Sequence, residues 1–130
     1  MFEVWYTSVL ATHDFVSESD FADICVLVRR DYLPHPGFTV AVDKDDRVIG
    51  FLKVDGSEID SLFIAPAFRG KGLGRRFVAE ASLRASTLEV EVNTQNTQAV
   101  GFYEAMGFGV ISSTETDRDG RPYPLLRMRR

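Results

Sequence analysis

A short stretch between residues 66 and 76, PAFRGKGLGRR, constrains the fold of this chain more than any other. Glycine occupies every second position at Gly70, Gly72 and Gly74, and four cations are interleaved with it, whereas no acidic residue occurs before Glu80. Apolar alternation before the stretch predicts a β-strand, and apolar periodicity after it predicts a helix. The chain is therefore expected to pass from a strand through a glycine-rich turn into a helix.

A glycine-rich turn of this kind is typical of an anion-binding site. Its backbone N–H groups and the partial positive charge of the following helix N-terminus both favour a bound anion. Glycine permits close approach of a ligand and backbone dihedrals that a Cβ would forbid. Arg75 and Arg76 oppose the helix macrodipole, which is unfavourable unless an anion offsets them. The alternative interpretation is an ordinary glycine-rich turn with solvated arginines.

The glycine spacing restricts which anion is expected. The stretch lacks the Gly-Lys-Ser/Thr end of a nucleoside-triphosphate loop. Its GxGxG spacing also differs from the GxGxxG of a dinucleotide-binding turn. A diphosphate with an organic tail remains as the expected ligand.

Length and composition indicate a single globular domain spanning residues 1–130. The hydrophobic fraction of 45% and charged fraction of 26% are those of a soluble protein, and neither a membrane-spanning run nor a signal peptide is recognisable. One cysteine, Cys25, excludes an internal disulfide and a multi-cysteine metal site, so a cytoplasmic protein without membrane partners is expected. In its apolar surroundings Cys25 is interpreted as a small hydrophobic residue rather than a nucleophile.

The charge distribution favours a small anionic ligand over nucleic acid. The net charge is −4, yet residues 1–60 carry 12 acids and 5 bases, while residues 61–130 carry 7 acids and 10 bases. A protein that binds a duplex would show a larger basic excess and a broad basic face. No nucleic-acid partner is therefore expected.

Hydrophobic periodicity predicts an α/β protein with a mixed sheet and helices on both faces. In the strand LEVEV, alternation places Leu88, Val90 and Val92 on one face. Gly107 is expected to end the helix before it. The predicted helices cover about 1–12, 17–32, 73–85 and 95–106, and the predicted strands cover 38–42, 48–54, 58–64, 88–92, 108–114 and 123–128.

Two separated motifs resemble the GNAT superfamily of acetyl-CoA-dependent N-acetyltransferases. Residues 69–74, RGKGLG, resemble its pyrophosphate-binding motif Arg/Gln-x-x-Gly-x-Gly/Ala, and residues 92–108 resemble its next sequence block. Residues 11–15 and 120–126 are similar to a small bacterial subgroup. The resemblance covers nearly the whole chain and implies the GNAT fold, a mostly antiparallel twisted sheet of about six strands.

The beginning of the sequence departs from the family pattern. Members of the family begin with a β-strand, whereas this sequence begins in or just ahead of the first helix, so that strand is expected to be missing. The sheet would then have an edge open to pairing with another chain. A monomer and a homodimer both remain open.

The resemblance implies acetyl-CoA as the donor, CoA as the product, and no metal. It places pantetheine between two diverging strands, on the backbone of residues 62–64, and the pyrophosphate on backbone N–H groups of residues 69–75. It also implies a hydrogen bond from Asn93 or Asn96 to the pantetheine arm. The implied cofactor-binding residues are Leu62, Phe63, Ile64, Arg69, Gly70, Lys71, Gly72, Leu73, Gly74, Arg75, Asn93, Asn96, Ala99 and Phe102.

Tyr103 is the candidate general acid. Asn96, Ala99, Val100 and Tyr103 follow i, i+3, i+4, i+7 spacing and share one helix face, and the resemblance implies that Tyr103 protonates the departing CoA thiolate. The alternative is a core aromatic residue. Gly101 in the same helix costs about 1 kcal/mol relative to alanine and is interpreted as a sign of close packing or of a close ligand.

The general base is left between several candidates. Glu58 resembles the catalytic glutamate of the histone-acetylating branch, and Asp60 shares its strand face; either could instead only solvate a strand end. The unperturbed pKa of histidine would suit His13 for this role, although His13 could instead only end and cap its helix. Many family members use a chain of waters. His13 and Tyr123 are also the candidate substrate contacts.

The expected function is direct acetyl transfer to a primary amine of a small molecule, peptide or protein. A ternary complex is expected because no activated nucleophile is evident for an acetyl-enzyme. The alternative is a non-catalytic module that binds acetyl-CoA as a sensor or scaffold.

Overall fold

The computed structural model describes residues 1–12 and 15–130. A π-helical turn, Val28–Tyr32, continues the second helix, and a 3-10 turn, Pro66–Phe68, follows the third strand. In chain order the other elements are α1 (Phe2–Thr12), α2 (Glu18–Leu27), β1 (Phe38–Val42), β2 (Val48–Asp55), β3 (Glu58–Ile64), α3 (Leu73–Ser82), β4 (Glu89–Asn93), α4 (Thr97–Ala105), β5 (Gly109–Thr114) and β6 (Leu125–Arg129). The predicted order of elements is confirmed, and their ends shift by a few residues.

The six strands form one sheet in the order β1-β2-β3-β4-β6-β5. β1 pairs with β2, β4 with β6 and β5 with β6 in antiparallel fashion. β3 and β4 pair in parallel at Glu58↔Glu89 and Ile59↔Val90, at the beginning of both strands. Because parallel neighbours need a crossover connection, the glycine-rich loop and α3 lie between them. The predicted mixed, mostly antiparallel sheet is confirmed.

The chain forms two compact units, one of residues 1–53 with 61–74 and one of residues 54–60 with 75–130. In the first unit, Val4, Trp5 and Val9 of α1 form a buried cluster with Phe51 of β2. The ring of Phe51 lies 5.5 Å from the ring of Phe38. This apolar contact packs α1 against the strands of its unit.

Two side-chain hydrogen bonds fix the helices of the first unit to β3. The Ser8 hydroxyl donates to the Ile64 carbonyl over 2.8 Å, and the Tyr32 hydroxyl donates to the Ser61 hydroxyl over 2.9 Å. Tyr32 ends the π-helical turn, which the sequence did not predict. Its extra backbone residue per turn changes the direction in which the side chains project.

In the second unit, alternation and helical periodicity decide which residues are buried. The inward face expected for β4 is confirmed, since Leu88, Val90 and Val92 are buried, and Phe77, Val78 and Ala81 of α3 are buried as well. The edge strand β5 is exposed at all six residues, including Val110 at 53% and Ile111 at 45%. Among the helices of residues 1–12 and 15–130, none has the length and apolarity needed to cross a membrane.

Candidate active site

The glycine-rich loop of the first unit begins where β3 ends. The Ala65 amide donates to the Ile49 carbonyl over 2.8 Å, and the 3-10 turn follows. Gly70 and Gly72 then adopt φ of +74° and +83°, which L side chains rarely adopt. The expected need for glycine is thereby confirmed at these two positions. A Cβ at either would meet no heavy atom of residues 1–12 and 15–130 within 4 Å, so the space beside the loop is open to a ligand.

The charges around the loop suit an anion. The first N–H groups of α3 have no carbonyl partner within the helix. The first turn of this helix contains no acidic residue. Arg75 and Arg76 are exposed in that turn. The Lys71 ammonium lies 5.4 Å from the centre of the Phe68 ring. Open space, helix-terminal amides and cations together fit a diphosphate.

Tyr103 is fixed in the second unit by the way α4 ends. The Phe108 amide donates to the Tyr103 carbonyl over 2.9 Å, and the Gly107 amide donates to the Glu104 carbonyl over 3.0 Å. This bond pair, with Gly107 at φ +93°, is the Schellman motif. The rings of Tyr103 and Phe108 lie 5.2 Å apart and provide the apolar contact that usually accompanies a Schellman motif. The expected helix end at Gly107 is confirmed, and the same motif orients Tyr103.

Tyr103 is 6% exposed and is the buried residue of α4. Burial raises the pKa of its phenol well above the usual value, because desolvation disfavours the phenolate. The group therefore keeps its proton across the physiological pH range. The Phe102 ring packs edge-on at 5.1 Å from the Tyr103 ring.

Two further predicted residues, Asn93 and Asn96, lie just before α4, and Gly101 lies at its middle. The Asn96 side chain caps the helix by accepting from the Ala99 amide over 3.1 Å, and the Asn93 side chain accepts from the Gln95 amide over 2.9 Å. At Gly101 a Cβ would meet no described heavy atom within 4 Å. The interpretation of Gly101 as close packing is therefore wrong, and a close ligand stays a prediction.

Glu58 belongs to a group of alternating charges that we call the charged cluster: Glu58, Glu89, Glu91, Arg118, Arg127 and Arg129. Arg127 contacts all three carboxylates, with Nε 2.8 Å from Glu89, Nη1 2.8 Å from Glu91 and Nη2 3.4 Å from Glu58. Arg118 adds contacts of 2.7 Å to Glu91 and 3.1 Å to Glu58. Both Glu58 carboxylate oxygens thus accept from a guanidinium.

The guanidinium groups change the acidity of two glutamates. A hydrogen bond from Arg127 lowers the pKa of Glu89, and a hydrogen bond from Arg118 lowers the pKa of Glu91. In both cases the hydrogen bond outweighs desolvation, which acts in the opposite direction. These carboxylates are therefore ionised at neutral pH.

A cleft of about 220 Å³ opens beside the charged cluster within the second unit. Its walls come from β4 and from the β5–β6 hairpin, and eight of the nine lining residues carry a hydroxyl or a charged group. The lining residues are Glu91, Ser112, Ser113, Thr114, Thr116, Asp117, Arg118, Leu125 and Arg127.

The sequence alone did not predict the other five members of the charged cluster. Its signal is charge at every second residue in LEVEV and in LLRMR, which β4 and β6 bring together as the pairs Glu89↔Arg129 and Glu91↔Arg127. The register that pairs them cannot be read from one strand alone.

The remaining candidates are distributed as follows. Tyr123 is buried, Asp60 is exposed, and His13 lies outside the described residues.

Cys25 is half-buried against the core of the first unit, where burial raises the pKa of its thiol. A raised pKa disfavours the thiolate, which is the reactive form. Of the implied cofactor contacts, residues 62–64 and 69–74 lie in the first unit, and Arg75, Asn93, Asn96, Ala99 and Phe102 lie in the second.

Comparison with known proteins gives a consistent result. The family described as "Acetyltransferase (GNAT) domain" matches residues 27–129. The peptidyl-lysine N-acetyltransferase YjaB of Salmonella typhimurium is 46% identical over 125 residues, which cover 96% of this chain and 86% of that protein. The solution structure of apo-form YjaB from Escherichia coli superimposes with a TM-score of 0.93 at 43% identity, covering 99% of this chain and 87% of that one.

A more distant structure shares the fold. The PaiA N-acetyltransferase from Thermoplasma acidophilum, solved in complex with coenzyme A, has a TM-score of 0.73 at 21% identity. The match covers 97% of this chain and 88% of that one.

Two glycine substitutions should change stability in opposite directions. Gly72→Ala forces a Cβ into a left-handed conformation and should lower the free energy of unfolding by about 1–2 kcal/mol. Gly101→Ala lies in a helix with open space around it and should raise that free energy by about 1 kcal/mol. Urea unfolding of both variants measures the difference. Equal stability of Gly72→Ala and the unmodified protein would contradict the strained conformation at Gly72.

The charged cluster should make stability depend on pH. The pKa of Glu91 is lower in the folded chain than in the unfolded chain, so its contribution is present above the unfolded pKa and is lost as the pH falls through the folded pKa. In Glu91→Gln, the free energy of unfolding should therefore fall less steeply between about pH 5 and pH 3 than in the unmodified protein.

The matched control is Glu104→Gln, because Glu104 is exposed on α4 outside the cluster. Urea unfolding at a series of pH values provides the measurement. An unchanged acid dependence in Glu91→Gln would mean that the Arg118 and Arg127 contacts contribute nothing to stability.

Proposed function

The chain belongs to the GNAT family of acetyltransferases, and on that premise we propose that it is a peptidyl-lysine N-acetyltransferase. It would move the acetyl group of acetyl-CoA to the ε-amine of a lysine side chain. The chief support is the near-full-length likeness to YjaB, whose name states that activity. A peptide acceptor also suits a cleft with charged and hydroxyl-bearing walls, because a lysine side chain brings an ammonium group.

Acetyl-CoA supplies an activated thioester, and the glycine-rich loop is the proposed holder of its pyrophosphate. Backbone N–H groups of residues 69–75 would donate to the phosphate oxygens, as the positive φ of Gly70 and Gly72 and the open space beside them permit. Arg75 and Arg76 would lose their unfavourable effect on the helix macrodipole once an anion is bound.

The backbone of Leu62, Phe63 and Ile64 is the proposed contact for pantetheine. The support is that both ladder pairs of β3 with β4 lie at the beginning of these strands, while residues 62–64 lie at the end of β3. A main-chain N–H of this segment would polarise the thioester carbonyl. The side-chain oxygens of Asn93 and Asn96 each accept one backbone bond, so a second lone pair on the oxygen and the N–H groups of the amide are the groups proposed to bond to the arm.

Tyr103 is the proposed general acid for the leaving thiolate. The phenol must hold its proton until the thiolate forms, and burial keeps it neutral at all physiological pH values. A free phenol has a pKa of about 10 and a cysteine thiol about 8.5. Transfer is assisted where the thiolate is itself desolvated, because desolvation raises the basicity of an anion.

Glu58 is the proposed base that accepts a proton from the lysine ammonium. In the structure both its oxygens accept from arginines, so one of those contacts must be released before the carboxylate can take a proton. The exposed side chain of Arg118 is the more easily removed of the two partners, since that of Arg127 is only 33% exposed. Asp60, His13 and a chain of waters remain the alternatives to Glu58.

We propose direct transfer rather than an acetylated enzyme. Cys25 is the chain's only thiol, and burial raises its pKa, which opposes formation of a nucleophilic thiolate. In a ternary complex the amine attacks the thioester carbonyl, the C–N bond forms and the C–S bond breaks. Glu58 takes one proton from the ammonium before the attack, and Tyr103 gives its proton to sulfur as the C–S bond breaks. The second proton that the nitrogen loses on forming the amide restores the Tyr103 phenol.

The decisive experiment combines binding with turnover. Acetyl-CoA and CoA should raise the melting temperature of the protein, whereas NAD and ATP should not, and a lysine-containing peptide should release free thiol from acetyl-CoA. Thiol release with small amines but with no lysine peptide would overturn the choice of acceptor. Stabilisation by CoA species without thiol release from any amine would indicate a sensor.

Tyr103→Phe should lower kcat by about 10²- to 10⁴-fold, the usual contribution of general acid catalysis. Its affinity for acetyl-CoA should be unchanged, because the ring and the Schellman motif are retained. Steady-state assays of thiol release give kcat, and calorimetry gives the affinity for acetyl-CoA. Tyr6→Phe, which removes an exposed hydroxyl from α1, is the control. Full turnover by Tyr103→Phe would remove the acid role.

Glu58→Gln should lower kcat/KM for the lysine peptide by about 10²- to 10⁴-fold at neutral pH. The amide cannot accept the ammonium proton, yet it can still bond to Arg127. Glu89→Gln is the matched control, since it neutralises a neighbouring carboxylate of the charged cluster. A loss no larger than that of the control would favour the chain of waters as the base.

A further inference from the structure

Arg118 combines high exposure with an unusual number of contacts. Its side chain is 66% exposed, yet its guanidinium donates three hydrogen bonds to two glutamates on neighbouring strands. It lies in the turn of the β5–β6 hairpin, at the wall of the 220 Å³ cleft. Ion pairs and hydrogen bonds hold this side chain, and packing contributes little, so another cation can take its place.

The carboxylate oxygens divide between the two arginines in an informative way. Arg127 holds Oε2 of Glu58 at 3.4 Å and Oε1 of Glu91 at 2.8 Å. Arg118 holds Oε1 of Glu58 at 3.1 Å and Oε2 of Glu91 at 3.2 Å, and shares Oε1 of Glu91 at 2.7 Å. Departure of Arg118 would open one oxygen on each glutamate while Arg127 keeps both carboxylates in place.

The turn around Arg118 is held independently of its side chain. The Asp117 carboxylate accepts from the Asp119 amide over 3.0 Å and from the Arg121 amide over 2.8 Å. The Arg121 guanidinium in turn contacts Asp119 at 3.1 Å. The backbone can therefore stay fixed while the Arg118 side chain rotates away.

We infer that Arg118 occupies the cation site of the acceptor and that a lysine ammonium displaces it from Glu58 and Glu91. This inference rests on the proposed function, since it assigns a position to the acceptor of that reaction. The charged cluster contains three carboxylates and three guanidinium groups, so removing Arg118 leaves a net charge of −1 beside the cleft. An incoming ammonium restores the balance.

The exchange also links binding to catalysis. Exposed ion pairs contribute little to stability and are screened by salt, so a competing cation can replace Arg118 at small cost. The oxygen that becomes available on Glu58 is the one next to the incoming ammonium, which is the group that must lose a proton. An uncharged side chain could not replace Arg118, and the carboxylates would stay covered.

The test measures peptide affinity in the presence of CoA, so it does not depend on turnover. Arg118→Gln removes the competing charge and should lower the Kd of a lysine peptide about two- to fivefold, the range of one exposed ion pair. Arg118→Lys keeps a competing cation and should bind as the unmodified protein does. A peptide with norleucine in place of lysine should bind equally to all variants. Calorimetry measures each Kd.

Arg129→Gln is the matched control. It also removes a guanidinium from the charged cluster, but that guanidinium contacts Glu89. Weaker or unchanged lysine-peptide binding by Arg118→Gln, or equal tightening by Arg129→Gln, would overturn the inference. The inference would also be overturned if Arg118→Gln lowered the Kd of the norleucine peptide as much as that of the lysine peptide.

The two levels of the proposal can fail separately. Thiol release from acetyl-CoA with a lysine peptide, together with no tightening in Arg118→Gln, would leave the proposed function standing and overturn the displacement. Tightening without thiol release would support the displacement and overturn the proposed acetyltransferase activity on lysine.

Discussion

The parallel pairing of β3 with β4 is the constraint on which the rest of the arrangement depends. Two parallel neighbours cannot be joined by a hairpin, so the chain must leave the sheet after β3 and return through a helix. The loop at residues 65–72 and α3 carry out that crossover. A glycine-rich loop before a helix N-terminus is then located directly beyond the end of a strand, where anions are commonly bound.

The sequence predicted the elements well where a period or a terminator is encoded locally. The alternation of LEVEV identified the buried face of β4, and Gly107 identified the end of α4. The π-helical turn at Val28–Tyr32 was not predicted, because its apolar pattern resembles a continuing α-helix. Its conformation depends on tertiary contacts such as the Tyr32–Ser61 hydrogen bond, which a local pattern does not contain.

The glycine-rich loop could be predicted from the sequence, whereas most of the charged cluster could not. Gly70 and Gly72 mark the loop because the required backbone conformation restricts the residue type. The charged cluster is different, since Glu58, Glu91 and Arg118 are far apart in the sequence and meet through strand register and a hairpin turn. Any surface strand can carry such residues. Only the register makes them partners.

The complete exposure of β5 has a consequence for how this protein can diversify. Because all six of its residues are exposed, the strand takes little part in the hydrophobic core, and the same holds for residues 115–120, whereas Tyr123 and Met128 further along the hairpin are buried. Sequence changes there carry a small folding penalty, yet they lie on the wall of the cleft. Exchange of β5 and of residues 115–120 between related chains should therefore be a route to new acceptors that leaves the hydrophobic core intact, both in natural evolution and in protein engineering.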